Sequence, residues 1–452
     1  IEKLFLSPKI SFIKGAVEVL MEKCTSYFNN RGELCRIESK RSLIEKSDMF
    51  ANQGIRLIAI ACSDNRIEEE GDLPEGLALL GIIGIKDDIR SESKNAIEMA
   101  HQAGIQVVMI TGDRKGTAAA IAGEVGLLQL DSDIVITSQD LNKMTDEEIA
   151  KILPDLKVVA RALPTDKSRL VRIAQNLGKV VGMTGDGVND SSALKLSDVG
   201  FAMGSGSEVA KEAGDIVILD DNFSSITNAI RYGRTIFKSI RKFIVFQLTV
   251  NIAAVLTAFV GPLVGFDFPL TIIQLLWINI IMDTLAALAL GGEPALKRFM
   301  KEKPINRKAN IISRYMASGI FTGGLYITAF SLFFLLFPPF KELFMRNGVP
   351  DNDVFLTAFF NLFIFLVMFN SFNARTDKIN LLEKILSNKG FLPIIALIFF
   401  LQIVFTYIGG DILRTTSLYV REWGIILVLS ISIIPVDLLR KLILKLFFKL
   451  ED

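Results

Sequence analysis

The second half of the sequence contains six long apolar stretches. Each approaches or exceeds the roughly 20 residues that a helix needs to cross a bilayer. An open sheet would leave its edge groups unpaired in lipid, so helices are the expected structure. The stretches are 243–262, 269–290, 316–337, 354–372, 391–408 and 423–439. The sequence therefore predicts a multi-pass integral membrane protein with the lipid bilayer as a partner.

Basic residues in the connecting segments predict the orientation in the membrane. They cluster in 297–314, 375–389 and 440–449, whereas 263–268 has none. We therefore expect the first half of the chain, these basic segments and the C-terminus to be cytosolic. The tail 439–450 alternates basic and apolar residues where the final apolar stretch ends. This favours a membrane-interface anchor over a calmodulin target, so calmodulin is not expected as a partner.

The first half of the chain alternates apolar strand-like runs with helical patterns, which predicts a parallel sheet covered by helices. Ligands of such sheets bind at the carboxyl ends of the strands. Lys and Arg total 50 against 49 for Asp and Glu, which gives no basic surface for nucleic acid. The single histidine, His101, excludes histidine triads and zinc sites built from histidines. The predicted strands are 77–85, 105–110, 157–160 and 179–183, and the predicted helices are 91–103, 117–125 and 167–177.

A glycine-rich acidic turn follows the last predicted strand, with the sequence Thr184–Gly185–Asp186–Gly187–Val188–Asn189–Asp190. Carboxylate and amide oxygens suit Mg²⁺, which uses one or two carboxylates together with substrate phosphate. The glycines let the backbone approach a phosphate closely. The sequence therefore predicts a magnesium and phosphate site at this turn.

A second turn of this kind, Thr111–Gly112–Asp113, follows the predicted strand 105–110. Its hydroxyl and backbone amides are suited to hold a phosphate at the start of the next helix. Lys167 lies near the start of a predicted helix after Pro164, where its charge would offset that of a phosphate. If the strands are adjacent, both turns lie in one crevice.

The acidic turn and its continuation through 193–204 resemble the hinge signature of P-type ATPases, ion pumps with a phosphorylation domain of haloacid-dehalogenase type. The resemblance implies a Rossmann-like α/β domain in which Asp186 binds Mg²⁺ while Asn189 and Asp190 support the phosphorylated site. It also implies that Thr111 holds the phosphoryl group, with Gly112 and Asp113 beside it, and that Lys167 neutralises charge during phosphoryl transfer.

The same resemblance implies an ATP site. Arg161 matches a ribose contact, and the run 87–90 matches the family's Asp-Pro-Pro-Arg with both prolines replaced, which retains Asp87 and Arg90. In an upstream α+β nucleotide-binding domain, Lys14 with Glu18 resembles the adenine-pocket motif. Arg56 resembles a phosphate contact of that domain.

The family's phosphoryl acceptor is the Asp of Asp-Lys-Thr-Gly, and that run does not occur in the 452 residues. The run 131–135 matches the Asp-x-Asp pattern of related phosphatases, but it follows Thr111 in sequence, whereas a nucleophile should precede that turn. We expect this run to be a loop with no strand to aim its carboxylates. The chain is therefore interpreted as a C-terminal portion without the phosphorylated residue.

Polar residues within the apolar stretches predict a cation site, because ionisable groups in membrane helices are costly. Asp283 lies four residues after Asn279, hence on the same helical face, and Asn251 lies in the preceding stretch. Their oxygens suit a hard cation such as Ca²⁺, which takes roughly 6–8 oxygen ligands. The alternative is that the amides only join helices.

The runs 221–225, 246–251, 276–284 and 372–375 closely resemble plasma-membrane-type calcium ATPases. By that resemblance Asn279, Asp283 and tentatively Asn251 bind the transported Ca²⁺, together with groups on a helix outside this chain. Ala254 stands where the endoplasmic-reticulum type has a glutamate ligand, which implies one Ca²⁺ per ATP.

These inferences predict four segments: part of a nucleotide-binding domain (1–76), a phosphorylation domain without its first strand (77–222), a stalk (223–242), and an all-α membrane domain of six helices (243–452). The predicted function is ATP-driven calcium transport through an aspartyl phosphate. The membrane would be the plasma membrane, an internal calcium store or a vacuole. The alternatives are a pump for Na⁺, H⁺ or Mn²⁺, a truncated non-catalytic membrane protein and, less favoured, a stand-alone phosphatase.

Overall fold

The structure, a computed structural model, describes residues 10–51, 55–64, 73–86, 89–266 and 268–448. Within these ranges the side chains of residues 51, 56, 282, 283 and 448 are not described. The chain divides into two compact units, one of residues 1–230 with 300–308, the other of 231–299 with 309–452.

The first unit contains eleven described strands and nine described helices. In chain order they are β1 (Ser11–Gly15), α1 (Val17–Lys23), β2 (Cys24–Phe28), β3 (Leu34–Arg36), α2 (Lys40–Ala51), β4 (Arg56–Ser63), β5 (Leu77–Ile85), α3 (Ser91–Gln102), β6 (Met109–Ile110), α4 (Lys115–Glu124), β7 (Ile134–Thr137), α5 (Ser138–Lys143), α6 (Asp146–Ile152), β8 (Leu156–Ala160), α7 (Pro164–Asn176), β9 (Gly182–Gly185), α8 (Ser191–Leu196), β10 (Val199–Met203), α9 (Glu208–Ala213) and β11 (Ile216–Ile218).

The N-terminal part of this unit is a mixed five-stranded sheet with the order β1-β4-β5-β2-β3. β5 pairs antiparallel with β4 and parallel with β2. The prediction that 77–85 is a strand is confirmed, but its assignment to the parallel sheet is wrong. Because Leu77 and Leu79 pack into the same core as Val17 and Leu20 of α1, this strand belongs with the residues before it. The division between the two sheet systems therefore falls after β5.

The predicted parallel sheet is present as two three-stranded parallel sheets, β6-β8-β7 and β11-β10-β9. The three helices predicted around it are α3, α4 and α7. The strand predicted over 105–110 is reduced to Met109–Ile110. Within the part of the chain that the structure describes, β6 and β9 each pair with one strand only, so a parallel strand beside either edge would find free backbone groups.

The run 131–135, which matches the Asp-x-Asp pattern, is only partly a loop. Residues 131–133 form a turn, but β7 begins at Ile134, which corrects the prediction that no strand is present. Asp133 therefore precedes its strand, at the edge of the sheet opposite the carboxyl ends. The helices after β7 begin with capping boxes, in which Thr137 pairs with Asp140 and Thr145 with Glu148.

The second unit is largely helical. A single helix, α10 (Phe223–Leu263), enters it from the first unit, and the remaining elements are α11 (Ile272–Ile280), a π-helical segment (Ile281–Ala286), α12 (Ala287–Gly291), α13 (Arg314–Leu336), α14 (Pro338–Glu342), β12 (Met345–Arg346), β13 (Val349–Pro350), α15 (Asn352–Arg375), α16 (Phe391–Ile408), α17 (Gly410–Leu413), α18 (Val420–Ser430), α19 (Ile433–Ile443) and a terminal π-helical segment (Leu444–Phe448).

Five helical segments of the described chain are long and apolar enough to cross a membrane: α10, the run Ile272–Gly291, α13, α15 and α16. They match the first five predicted stretches. α15 is buried along most of its length, whereas the other four bury less than half of their apolar windows. Phe334 of α13 stacks on Phe355 of α15 with 5.1 Å between ring centroids, and this aromatic packing fills the core around α15.

The sixth predicted stretch forms two helices, α18 and α19, which are separated at residues 431 and 432. Pro435 has no N–H and its ring crowds the carbonyl of Ile431 four residues earlier, which breaks a helix at this point. The hydroxyls of Ser430 and Ser432 donate to the carbonyls of Ile426 and Leu429, a pattern that bends helices. A single sixth spanning helix is therefore not observed.

Close packing of α10 against α13 leads to a prediction about stability. A Cβ added at Gly324 would lie 2.8 Å from Ile252 Cγ2, whereas one added at Gly233 of α10 meets nothing within 4 Å. Gly324→Ala should therefore destabilise the membrane unit by about 1–3 kcal/mol, because the helices must separate. Gly233→Ala should be neutral or stabilising by about 0.5–1 kcal/mol. Thermal unfolding of both variants in detergent tests this, and equal midpoints would contradict the packing of these helices.

Candidate phosphate and cation sites

The acidic turn lies at the carboxyl end of β9 and is held by one buried carboxylate. Asp190 is 5% exposed, and its Oδ2 accepts hydrogen bonds from the backbone N–H groups of Asp186 at 3.2 Å and Gly187 at 3.3 Å. A Cβ at Gly185 would lie 2.4 Å from the Cβ of Asp190, so only glycine allows this approach. The backbone oxygen of Asp186 accepts from Ser207 N–H at 2.7 Å. The turn is therefore rigid and preformed.

Lys167, in the first turn of α7, joins this turn through an ion pair. Its Nζ lies 2.5 Å from Oδ1 of Asp190, and both side chains are largely buried. Because Oδ1 of Asp190 is occupied by this lysine and Oδ2 by two amides, Asp190 is committed to holding the turn. The ammonium of Lys167 is fixed beside the turn as a local positive charge.

Asp186 and Asn189 remain exposed on the same turn. A carboxylate and an amide oxygen that are open to solvent suit a hard divalent cation, because such ions prefer oxygen ligands and keep several waters. Asp186 thus fits the predicted Mg²⁺ ligand. Among the described residues no group of three or more His, Cys, Asp or Glu forms a ready metal cage, so a metal here would complete its shell with phosphate or water.

The Thr111–Gly112–Asp113 turn follows β6 and is closed by Thr111, whose Oγ1 accepts from the Asp113 N–H at 3.1 Å. The backbone oxygens of Thr111 and Asp113 accept from Ala162 and Arg161, each at 2.9 Å. This contact ties the turn to the segment between β8 and α7, and α7 in turn carries Lys167 to Asp190. The structure therefore brings both predicted turns to the same end of the two parallel sheets.

The predicted nucleotide residues Glu18 and Arg161 meet directly. Nη2 of Arg161 donates to Oε1 of Glu18 at 2.5 Å, and Nε of Arg114 lies 3.5 Å from the same oxygen. Arg161 has a φ of 54°, a left-handed conformation that is costly for arginine. Lys14 is exposed on β1, paired in register with Ile60. Glu18, Arg114 and Arg161 thus join α1 to the loops at the carboxyl ends of the parallel strands.

Arg90 contacts backbone rather than an open surface. Its Nη1 donates to the carbonyl of Asp221 at 2.7 Å and to that of Asp220 at 3.3 Å, immediately before α10. Hydrogen bonds from Ser205 hold the pKa of the Asp221 carboxyl below its ordinary value. Asp87 lies outside the described residues, as does the side chain of Arg56.

Asp133, in the run that matches the Asp-x-Asp pattern, has a structural role. Asp133 accepts hydrogen bonds from the N–H groups of Gln129 at 2.6 Å and Leu130 at 2.8 Å, and it pairs with Lys157 at 3.7 Å. Burial acts to raise the pKa of Asp133, but these contacts outweigh it and leave the pKa below its ordinary value. The lone histidine, His101, lies in the last turn of α3, and burial lowers its pKa. Neither residue belongs to the site.

The predicted cation residues occupy membrane-length helices. Asn251 in α10 and Asn279 at the end of α11 are both exposed. The backbone of Asp283 lies within the π-helical segment Ile281–Ala286, and its side chain lies outside the description. π-Helical turns interrupt the regular ladder and occur frequently at functional sites.

Residues 300–308, which the sequence marks only as part of a basic connecting segment, pack against two other parts of the first unit. Arg307 Nη2 lies 2.9 Å from Oδ1 of Asp198, whose Oδ2 accepts from the Val181 N–H at 2.8 Å. A Cβ at Gly104 would lie 2.8 Å from Cδ of Pro304. No local pattern marks these pairings, because the partners are far apart in sequence.

Comparisons with known proteins agree with this organisation. Residues 22–198 match the haloacid dehalogenase-like hydrolase family, and 172–230 match a second model of the same description. Residues 267–443 match the family described as cation transporting ATPase, C-terminus.

Curated relatives cover nearly the whole chain. The chain is 39% identical over 443 residues to "Probable calcium-transporting ATPase 6, plasma membrane-type" of Oryza sativa subsp. japonica, covering 96% of this chain and 43% of the relative. It is 38% identical over 431 residues to "Putative calcium-transporting ATPase 11, plasma membrane-type" of Arabidopsis thaliana, covering 94% and 42%. It is 38% identical over 471 residues to "Calcium-transporting ATPase PAT1" of Dictyostelium discoideum, covering 95% and 42%.

The chain spans less than half the length of these relatives, so it corresponds to a portion of such a protein. Its two matched families, its phosphate-type turns and its membrane-length helices occur in one polypeptide in the order that the sequence predicted. The chain is an integral membrane protein of the cation-transporting ATPase family, and over nearly its whole length it is similar to proteins named plasma-membrane-type calcium-transporting ATPases.

Proposed function

We propose that the protein uses ATP to transport Ca²⁺ across a membrane through an aspartyl-phosphate intermediate, with this chain supplying the phosphate-handling turns and part of the ion pathway. The observation that carries this proposal is the commitment of Asp190 to Lys167 and two backbone amides. This arrangement leaves Asp186 as the exposed carboxylate beside a fixed positive charge. Such a preorganised group of charges suits phosphoryl transfer, in which catalysis is mostly positioning and electrostatic stabilisation.

The residues on the two turns divide the work. Asp186 would hold Mg²⁺, which when bound neutralises charge on the transferred phosphoryl group. The backbone amide of Gly112 would donate a hydrogen bond to a phosphoryl oxygen. The hydroxyl of Thr111, which donates to Oδ2 of Asp113 at 3.1 Å, would turn from that carboxylate to donate to a second phosphoryl oxygen. Lys167 would stabilise negative charge that develops in the transition state, and Asn189 would support the phosphorylated site from the exposed side of the turn.

The acceptor aspartate must come from a segment outside these residues, because Asp-Lys-Thr-Gly does not occur in the sequence. The edges of β6 and β9 give that segment a place to bind. A strand paired between them would complete one parallel sheet, and its carboxyl end would emerge between the two turns. This explains why the described strands divide into two sheets at this point.

ATP would bind across the contact between α1 and the loops after β6 and β8. Lys14, Arg56, Asp87, Arg90 and Arg161 are the proposed contacts. Arg161 is already paired with Glu18, so a ribose hydroxyl would share or replace that partner. The structure adds that Arg90 also fixes the backbone before α10, so its role includes holding this connection.

The proposed ion site comprises Asn279, Asp283 and tentatively Asn251. Exposed amides within membrane-length helices need polar partners, since lipid offers none. The exposure of Asn251 and Asn279 therefore implies further helices that pack on these residues and contribute oxygens. Ala254 supplies no oxygen ligand on α10, in keeping with one Ca²⁺ per ATP.

The topology that we propose has six crossings, with α18 and α19 together forming the last. The first unit and the C-terminus would be cytosolic, in the plasma membrane or the membrane of a calcium store or vacuole. Neither calmodulin nor nucleic acid is a proposed partner. A pump for Mn²⁺, Na⁺ or H⁺ is the nearest alternative, and a non-catalytic membrane protein is a more distant one.

The role of Asp186 leads to a prediction for protein made from the complete coding sequence. Asp186→Asn should reduce ATP turnover by about 100-fold or more, because a metal ligand beside the phosphoryl group is lost. The matched control is Asp131→Asn, which removes an exposed carboxylate of the run 131–135. This control should keep wild-type turnover and Mg²⁺ dependence. Comparable losses in the two variants would remove the assignment of the acidic turn.

Transport itself is tested by isotope flux into sealed vesicles of the purified complete protein. We expect ATP-dependent accumulation of ⁴⁵Ca²⁺ that is saturable at micromolar free calcium and abolished by a calcium ionophore. Parallel measurements with ⁵⁴Mn²⁺, ²²Na⁺ and a pH-sensitive dye identify the alternatives. Uptake of one of those ions without calcium uptake would contradict the calcium assignment, and no ATP-dependent uptake of any ion would favour the non-catalytic alternative.

A further inference from the structure

A buried chain of polar side chains connects three helices of the membrane unit. Trp277 Nε1 donates to Gln402 Oε1 at 3.0 Å, and Gln402 Nε2 donates to Asn361 Oδ1 at 2.9 Å. The Thr406 hydroxyl lies 2.9 Å from the same Asn361 oxygen, and Asn361 Nδ2 donates to the carbonyl of Thr357 at 2.9 Å. We call Trp277, Gln402, Asn361 and Thr406 the polar chain.

The three members of the polar chain other than Trp277 are fully buried, and their polar side-chain atoms are paired. Asn361, Gln402 and Thr406 are each 0% exposed, and none of their side-chain polar atoms is without a partner. Gln402 and Thr406 lie four residues apart, so they present one polar face on the otherwise apolar helix α16. Buried amides in a membrane helix are retained only with partners, because the apolar surroundings offer no substitute.

The polar chain fixes α11, the helical segment that precedes the π-helical segment. The Trp277 ring also packs against Phe405 with 4.2 Å between centroids, and Gln274 Nε2 donates to the Leu413 carbonyl at 2.8 Å. α11 is therefore anchored near its start and near its end. The segment beyond it departs from α-helical geometry, so the position of its end depends on these side-chain anchors.

Trp277 and the proposed ligand Asn279 lie on opposite faces of α11. Two residues correspond to about 200° of rotation around a helix. Trp277 is half-buried against α16, and Asn279 is exposed on the uncovered face. A rotation or shift of α11 that the Trp277 anchor prevents would move the Asn279 oxygen out of place. The anchored face thus determines where the ligand face points.

We propose that the Trp277–Gln402–Asn361 hydrogen bonds make Gln402 a positioning residue for the cation site, holding α11 so that the side chain of Asn279 is preorganised for the ion. The inference rests on the proposed transport function. Gln402 itself does not touch the ion. The alternative is a structural role, in which these amides only hold the helices together.

Gln402→Leu in the complete protein separates these roles. It removes the acceptor of Trp277 at similar volume and should raise the calcium concentration for half-maximal ATP turnover by about 3- to 10-fold, with maximal turnover retained. The matched control is Ser371→Ala, which removes a buried hydrogen bond of 2.6 Å that α15 makes to its own Met368 carbonyl. This control should keep the wild-type calcium dependence.

The double variant Trp277→Phe/Gln402→Leu tests whether the two residues act through one interaction. Trp277→Phe removes the N–H donor and keeps an aromatic ring beside Phe405. If the hydrogen bond is the positioning contact, the double variant needs the same calcium concentration for half-maximal ATP turnover as Gln402→Leu alone. Two outcomes would overturn the proposal. One is that the two substitutions raise this calcium concentration additively, and the other is that Gln402→Leu leaves it at the wild-type value.

Hydrogen exchange of the backbone amides of residues 272–286 tests the positioning role without depending on which ion is transported. We expect faster exchange there in Gln402→Leu than in Ser371→Ala at equal thermal midpoint, because α11 loses its anchor. Equal exchange in the two variants would overturn the positioning role. If wild-type protein shows no calcium-stimulated turnover, the calcium proposal fails, and this exchange measurement still decides whether Gln402 positions α11.

Discussion

The continuity of α10 is the constraint on which the account depends. This helix has 41 residues, Phe223–Leu263, and spans about 60 Å at 1.5 Å per residue. It begins directly after the segment that Arg90 holds and contains Asn251 well within its apolar part. The backbone is helical over this whole range, so one continuous stretch of sequence leads from the end of the first unit to a proposed ion ligand.

Both proposed sites follow the same physical rule, which is that buried polar groups are paired so that exposed ones remain available. In the first unit, Asp190 is paired with Lys167 and two backbone amides, and Asp186 remains exposed. In the second unit, Gln402 and Asn361 are hydrogen-bonded to their neighbours, and Asn279 remains exposed. Satisfied buried networks specify a unique geometry, and that geometry preorganises the ligands beside them.

Features that depend on neighbouring residues could be predicted from the sequence, whereas features that depend on contacts between distant residues could not. The acidic turn could be recognised because its residues are adjacent and glycines are required there, as Gly185 against Asp190 shows. The five described helical segments that are long and apolar enough to cross a membrane were predicted from apolar length alone. The place of β5 in the N-terminal sheet depended on packing against α1, which periodicity does not contain. The break between α18 and α19 was encoded locally by Pro435, but the apolar length of the stretch obscured it. The Glu18–Arg161 pair joins residues 143 apart, which no local pattern reveals.

We propose that phosphate chemistry in the first unit is linked mechanically to cation binding among the membrane-length helices of the second unit. The most direct measurement is calcium-stimulated ATP turnover of the complete protein with Asp283→Ala, alongside phosphorylation from inorganic phosphate without calcium. Asp411→Asn, an exposed carboxylate in α17, is the control. The account predicts that Asp283→Ala abolishes calcium-stimulated turnover while phosphorylation from inorganic phosphate persists. Undiminished calcium stimulation in Asp283→Ala would contradict the linkage.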